Sequence, residues 1–112
     1  MVILMKVKNN DIIITRGDTE GILIRFRDYV PTSEDKFEMT VRKSIQSPDK
    51  LLHKVGQLME NGTVLIKIDP SDTSGLDFGQ YVYDVQATFG SGEVKTIIKP
   101  AKFFVGGEVT YD

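Results

Sequence analysis

The chain has 112 residues, fourteen Lys and Arg against sixteen Asp and Glu for a net charge of −2, and no cysteine, so disulfides, thiolate metal sites and cysteine nucleophiles are excluded. That length predicts a single domain over residues 1–112, burying roughly two-thirds of its unfolded surface without staples, and the faintly acidic balance lacks the field that draws proteins to phosphate backbones, so no nucleic-acid partner is expected. The apolar start Met1-Val2-Ile3-Leu4-Met5 meets Lys6 and Lys8 at once and is too short for a leader or a spanning helix, so no membrane segment is expected and synthesis in the cytoplasm is implied.

Short strand-forming segments alternate with turn residues along the whole chain, the spacing of an all-β sandwich or barrel. Residues 2–8 read as the first strand, closed by Asn9-Asn10-Asp11, whose side chains tolerate left-handed backbone. Ile12 to Thr15 follow as a second, and Arg16-Gly17-Asp18 reads as the turn of a hairpin into residues 20–27. There Ile22, Ile24 and Phe26 alternate with Leu23, Arg25 and Arg27, the period of a sheet wet on one face.

Pro31-Thr32-Ser33-Glu34-Asp35 reads as a polar loop, after which Phe37, Met39 and Val41 alternate with Glu38, Thr40 and Arg42. Beyond a second loop near Ser47-Pro48-Asp49, residues 51–58 are expected to pair with residues 63–68 through Asn61-Gly62, a dipeptide suited to a tight hairpin because both residues accept positive φ. Asp69 or Ser71 is placed to cap one turn of helix over residues 71–76. A long alternating strand begins at Gln80 and ends at Phe89. Gly90-Ser91-Gly92 turns it into residues 93–99, Pro100 is expected to break the run, and residues 101–105 form the last strand before Gly106-Gly107.

The pattern Asp77-x-Gly79-x-Tyr81 at the head of the long strand resembles the tyrosine corner of immunoglobulin-like sandwiches, in which a Tyr hydroxyl bonds backward to the preceding connection. The expected architecture is therefore all-β: an immunoglobulin-like antiparallel β-sandwich of about eight or nine strands with one short helical turn. Asp77, Gly79 and Tyr81 are its structural corner.

Residues able to do chemistry are sparse. His53 is the one histidine, and no second histidine or carboxylate can be assigned to it from sequence. Asp69, Asp72 and Asp77 could supply oxygens to a cation, but their spacing fits no ordered loop and turn formation explains them. Arg16-Gly17-Asp18 spells an adhesive tripeptide at a place where the chain must turn in any case. The glycines precede strands, not a helix, so they form no phosphate cradle. The expectation is a non-enzymatic protein without catalytic residues, metal or cofactor. Val2-Ile3-Leu4-Met5 and Phe103-Phe104-Val105 place apolar side chains on both faces of a strand. Ile3, Leu4, Met5, Phe103 and Phe104 are accordingly candidate subunit-contact residues, with an enclosed core position as the competing reading.

The series Ile14-Thr15-Arg16-Gly17-Asp18-Thr19, then Ile68-Asp69-Pro70-x-Asp72-Thr73-x-x-Leu76-x-x-Gly79-x-Tyr81-x-Tyr83-Asp84-Val85-Gln86, resembles a group of small immunoglobulin-like proteins of tailed bacteriophages and prophages. Within that group it most resembles the N-terminal domain of the baseplate upper protein family, and the likeness covers residues 12–104. It implies a structural or assembly component of a phage tail or baseplate, located in the virion and assembled in the bacterial cytoplasm. Its partners would be copies of itself, forming a homo-oligomer, or other virion tail proteins. The alternative is a ligand-binding sandwich that recognises a carbohydrate or receptor, with exposed loop residues such as Tyr29 in contact.

Overall fold

A computed structural model describes residues 2–3, 7–8, 10–26 and 29–107, with the backbone alone for 2–3 and 7–8. Ten strands and one short helix follow in order: β1 (Val2–Ile3), β2 (Val7–Lys8), β3 (Asp11–Thr15), β4 (Glu20–Arg25), β5 (Lys36–Arg42), β6 (Leu52–Val55), β7 (Gln57–Leu58), β8 (Val64–Ile68), α1 (Pro70–Thr73), β9 (Gly79–Thr88) and β10 (Val94–Gly106). They form a four-stranded sheet ordered β1-β4-β8-β7 and a six-stranded sheet ordered β2-β3-β10-β9-β5-β6. This is an immunoglobulin-like β-sandwich. Pairing is antiparallel throughout except that β10 runs parallel to β3, with Phe103 opposite Ile12 and Val105 opposite Ile14.

The alternation legible in the sequence becomes the core. Ile22 and Ile24 of β4 and Val64, Ile66 and Ile68 of β8 face Phe37, Met39 and Val41 of β5 and Tyr81, Tyr83, Val85 and Ala87 of β9, all buried. Burying a residue of this size contributes about 1.5–3 kcal/mol. The inner faces therefore hold the two sheets together, while residues such as Glu38 and His53 meet water.

Several expectations change. Residues 51–58 are one extended run in sequence, but Gly56 breaks it: β6 pairs with β5 in the larger sheet and β7 with β8 in the smaller. At the crossing the Gly56 N–H donates to the Phe37 carbonyl at 2.7 Å. A Cβ on Gly56 would lie 2.5 Å from Val64 Cγ1, so only glycine lets the chain pass from one sheet to the other here. Residues 2–8 likewise contribute to both sheets, Val2–Ile3 pairing with β4 and Val7–Lys8 with β3. These two divisions, offset by the merging of residues 93–99 and 101–105 into β10, bring the strand count to ten among the described residues.

Arg16-Gly17-Asp18 does not close a hairpin, because β3 and β4 belong to different sheets. It is a sheet-to-sheet crossing with the same turn chemistry, Gly17 sitting at φ 85°. At Asn61-Gly62 only Gly62 has positive φ, 75°. Met59 N–H donates to the Thr63 carbonyl at 2.8 Å and Gly62 N–H to the Met59 carbonyl at 3.3 Å, which makes a three-residue loop instead of a two-residue one. Gly90-Ser91-Gly92 closes in the same way, through Phe89 N–H to Glu93 O at 2.9 Å and Gly92 N–H to Phe89 O at 2.8 Å. The helical turn covers Pro70–Thr73, earlier than expected.

Pro100 does not end its strand. β10 continues through it, with register steps between Thr96 and Ile98 and between Ile98 and Ala101 that each add one residue relative to β9. Proline is tolerated because β3 pairs only with Phe103–Gly106, which leaves the other side of β10 without a strand at that point among the described residues. Phe103, expected as a contact residue, is fully buried in the sandwich's own core with its ring edge-on to Tyr83 at 6.1 Å, and so has no surface to offer. Phe104 is half-buried on the outer face, beside the exposed Ile13. Leu4, Met5 and the side chain of Ile3 lie outside the described residues.

Candidate functional site

The corner between β8 and β9 is built from local chemistry. Asp72 N–H donates to the Asp69 carbonyl at 2.9 Å while the Asp72 carboxylate accepts from Asp69 N–H at 2.7 Å, and Pro70 opens the turn between them. Lys54 Nζ lies 2.9 Å from the Asp72 carboxylate. Burial pushes the Asp72 carboxyl up, but the Lys54 and Asp69 hydrogen bonds outweigh it and hold it below its ordinary value. Past the helix, the Tyr81 hydroxyl donates to the Asp77 carbonyl at 2.7 Å. Gly79 lies between them at φ 142°, a backbone conformation that favours glycine. Asp77, Gly79 and Tyr81 thus form one bonded corner.

The remaining residues with chemical potential are dispersed. His53 Nε2 sits 2.8 Å from Glu38 on the outer face of the larger sheet. Thr73 is fully buried, its Oγ1 accepting from Gly17 N–H at 2.9 Å. Arg16 stacks over Phe78 at 4.1 Å. Arg16 and Gly17 are therefore fastened to the corner, while Asp18 is exposed on the turn.

A site that the sequence did not announce lies at the opposite end of the fold, where the β4–β5 loop meets the β9–β10 hairpin. There an open cleft of about 690 Å³ has Phe26, Tyr29, Phe89 and Ile97 as its apolar lining. Tyr29 stands edge-on to Phe26 at 5.9 Å and to Phe89 at 5.3 Å. Asp35 clasps the two loops: its carboxylate accepts from the Tyr29 hydroxyl, from Thr32 N–H at 2.9 Å and from Gly90 N–H at 3.0 Å. The bond from Tyr29, with that from Thr32, holds the Asp35 carboxyl below its ordinary value, and the bond to Asp35 pushes the Tyr29 phenol up to about 12. Asp35 is thus a carboxylate and Tyr29 a neutral phenol at neutral pH. Glu34 lies against the hairpin, where a Cβ on Gly90 would come 2.8 Å from its Oε2. Glu34, Glu93 and Lys95 carry charge on the rim.

Sequence reading placed Glu34 and Asp35 in a polar loop and Gly90-Ser91-Gly92 in a separate hairpin. The missed signal is topological, since the loops that follow β4 and β9 gather at one end of such a sandwich.

No family model and no curated protein sequence matches the chain. Among solved structures it is similar to a putative glycoside hydrolase from Bacteroides vulgatus, at 14% identity and a TM-score of 0.52, covering 88% of this chain but only 16% of that one. It is also similar to CopC from Methylosinus trichosporium, at 13% identity and a TM-score of 0.53, covering 90% of this chain and 89% of that one. At these identities the likeness is one of fold, an all-β sandwich.

Proposed function

We infer that the chain is a non-enzymatic structural or assembly component of a bacteriophage or prophage tail or baseplate, working through contacts with copies of itself or with other tail proteins. One observation carries the contact role. The cleft between the β4–β5 loop and the β9–β10 hairpin is fixed in shape by the Asp35 clasp and presents aromatic side chains ringed by charge, the make-up of a recognition surface. The tail assignment rests on the resemblance over residues 12–104. Mass spectrometry of purified phage particles from the host that carries the gene tests it. The chain should be present in the particles, and its gene should lie beside portal and tape-measure genes; absence from particles and an unrelated neighbourhood overturn the reading.

A second reading, a carbohydrate- or receptor-binding module, draws on Tyr29, a residue 39% exposed in a cleft rimmed by carboxylates able to accept sugar hydroxyls. Glycan-array binding that is lost in Tyr29→Ala would favour it.

A further inference from the structure

We propose that the loop-end cleft is the docking site for an extended segment of a partner protein carrying lysine or arginine beside apolar side chains, an inference that rests on the contact role above. Three features of the cleft select that occupant.

The first is charge. Glu34, Asp35 and Glu93 oppose the single Lys95 among the described lining residues. Asp35 is committed to the two loops, whereas Glu34 and Glu93 line the cleft with carboxylates that make no hydrogen bond or ion pair among the described residues. A basic side chain entering there would meet these carboxylates and the aromatic rings together, and aromatic faces attract cations.

The second is the apolar lining. Phe26, Phe89 and Ile97 are half-buried and pack against the core, while Tyr29 is held by Asp35. Apolar side chains of an incoming segment would find a surface already in place, which lowers the ordering cost of binding.

The third is the backbone of β10. β3 starts at Asp11, whose Oδ1 accepts from Lys102 N–H at 3.0 Å and ends the pairing on that side. From Val94 to Ala101, β10 has β9 on one side and no strand on the other among the described residues. The register steps and Pro100 spoil this edge beyond Thr96. The stretch from Val94 to Thr96, which borders the cleft, stays in regular register. An extended chain is the ligand that can use such an edge, by main-chain bonds along it and side chains set alternately into the cleft.

The test titrates the isotope-labelled full chain, followed by backbone amide NMR, with three probes: a short synthetic peptide alternating leucine with lysine, its counterpart alternating leucine with glutamate, and a neutral cello-oligosaccharide. The lysine peptide should shift amides of residues 32–35 and 89–97 saturably, and the other two should not. Glu34→Gln with Glu93→Gln should weaken that binding on the order of fivefold and flatten its salt dependence, without changing the unfolding temperature. Silence of these amides with the lysine peptide, an equal response to the glutamate peptide, or a response to the sugar alone overturns the proposal, the last assigning the cleft to a carbohydrate. If the cleft fails while the chain is still found in particles, the contact role stands on another face; if the chain is missing from particles while the cleft binds, the tail assignment is what fails.

Discussion

The hydroxyl of Tyr81 and the carbonyl of Asp77, four residues apart, are joined by a 2.7 Å hydrogen bond that closes the corner between the helical turn and the longest uninterrupted run of core-facing residues. Tyr81 is 3% exposed, and Lys43 Nζ lies 4.8 Å from its ring centroid. Tyr81→Phe keeps the ring and deletes a part-buried bond to the carbonyl of the exposed Asp77, so it should cost about 0.5–1.5 kcal/mol. Tyr29→Phe also deletes a hydroxyl bond, to Asp35, but at an exposed site where water replaces the donor. Its loss in urea unfolding should be distinctly smaller. Equal and negligible losses would mean that the corner bond contributes nothing to stability.

Gly56→Ala tests the sheet crossing. The added methyl would sit 2.5 Å from Val64 Cγ1 and 3.3 Å from Phe37 Cβ, and both neighbours are core residues. Neither can yield without displacing its own strand, so overpacking of this kind should cost about 1–3 kcal/mol. Denaturant midpoints measure it. A neutral result would show that β6 and β7 adjust freely about residue 56.

How far the chain could be read from its residues follows from the range of each interaction. Ile22 and Ile24, or Phe37, Met39 and Val41, announce their inward face because one side of each strand is buried and a slip by one residue would reverse it. The Tyr81 corner is equally local. Gly56 was not legible as a crossing, because the residues on both sides of it favour strand and nothing in a single strand tells which sheet it joins. Arg16-Gly17-Asp18 misled for the same reason, since a hairpin and a sheet crossing use the same turn residues. Phe103 and Phe104 look alike in sequence, yet the pleat buries one and half-exposes the other. The cleft was hidden most deeply: its clasp joins Asp35 to Gly90 over 55 residues, and only the assembled topology makes them neighbours.

Thr73→Val isolates the tie between the corner and the β3–β4 crossing. Valine matches the shape of threonine but cannot accept from Gly17 N–H, a bond of 2.9 Å made by a fully buried side chain. Leaving that donor unpaired should cost about 1–3 kcal/mol. Thr73→Ser, which keeps the oxygen, should recover part of the loss. Hydrogen exchange at Gly17 gives the site-specific measure, and it should accelerate in the valine variant well before the core amides do.

Alkaline unfolding should be governed by two buried phenols. Burial pushes Tyr83 and Tyr81 above the ordinary tyrosine value of 10.0, with nearby Asp11 adding to the rise at the first and Asp77 at the second. The Tyr83 hydroxyl donates to the Asn10 carbonyl, so its proton is also committed to holding the turn between β2 and β3. A folded-state value above the unfolded one means that the folded chain retains its protons while the unfolded chain begins to release them near pH 10. Stability from this source is therefore complete below that pH and is lost as the pH climbs toward the folded-state values. Phenolate absorbance should accordingly rise in step with the loss of strand signal in circular dichroism for these two residues. Tyr83→Phe, though less stable at neutral pH, should lose less additional stability on raising the pH, because it removes one of the protons being released. Phenolate appearing from both residues well before unfolding would show that these hydroxyls are not enclosed.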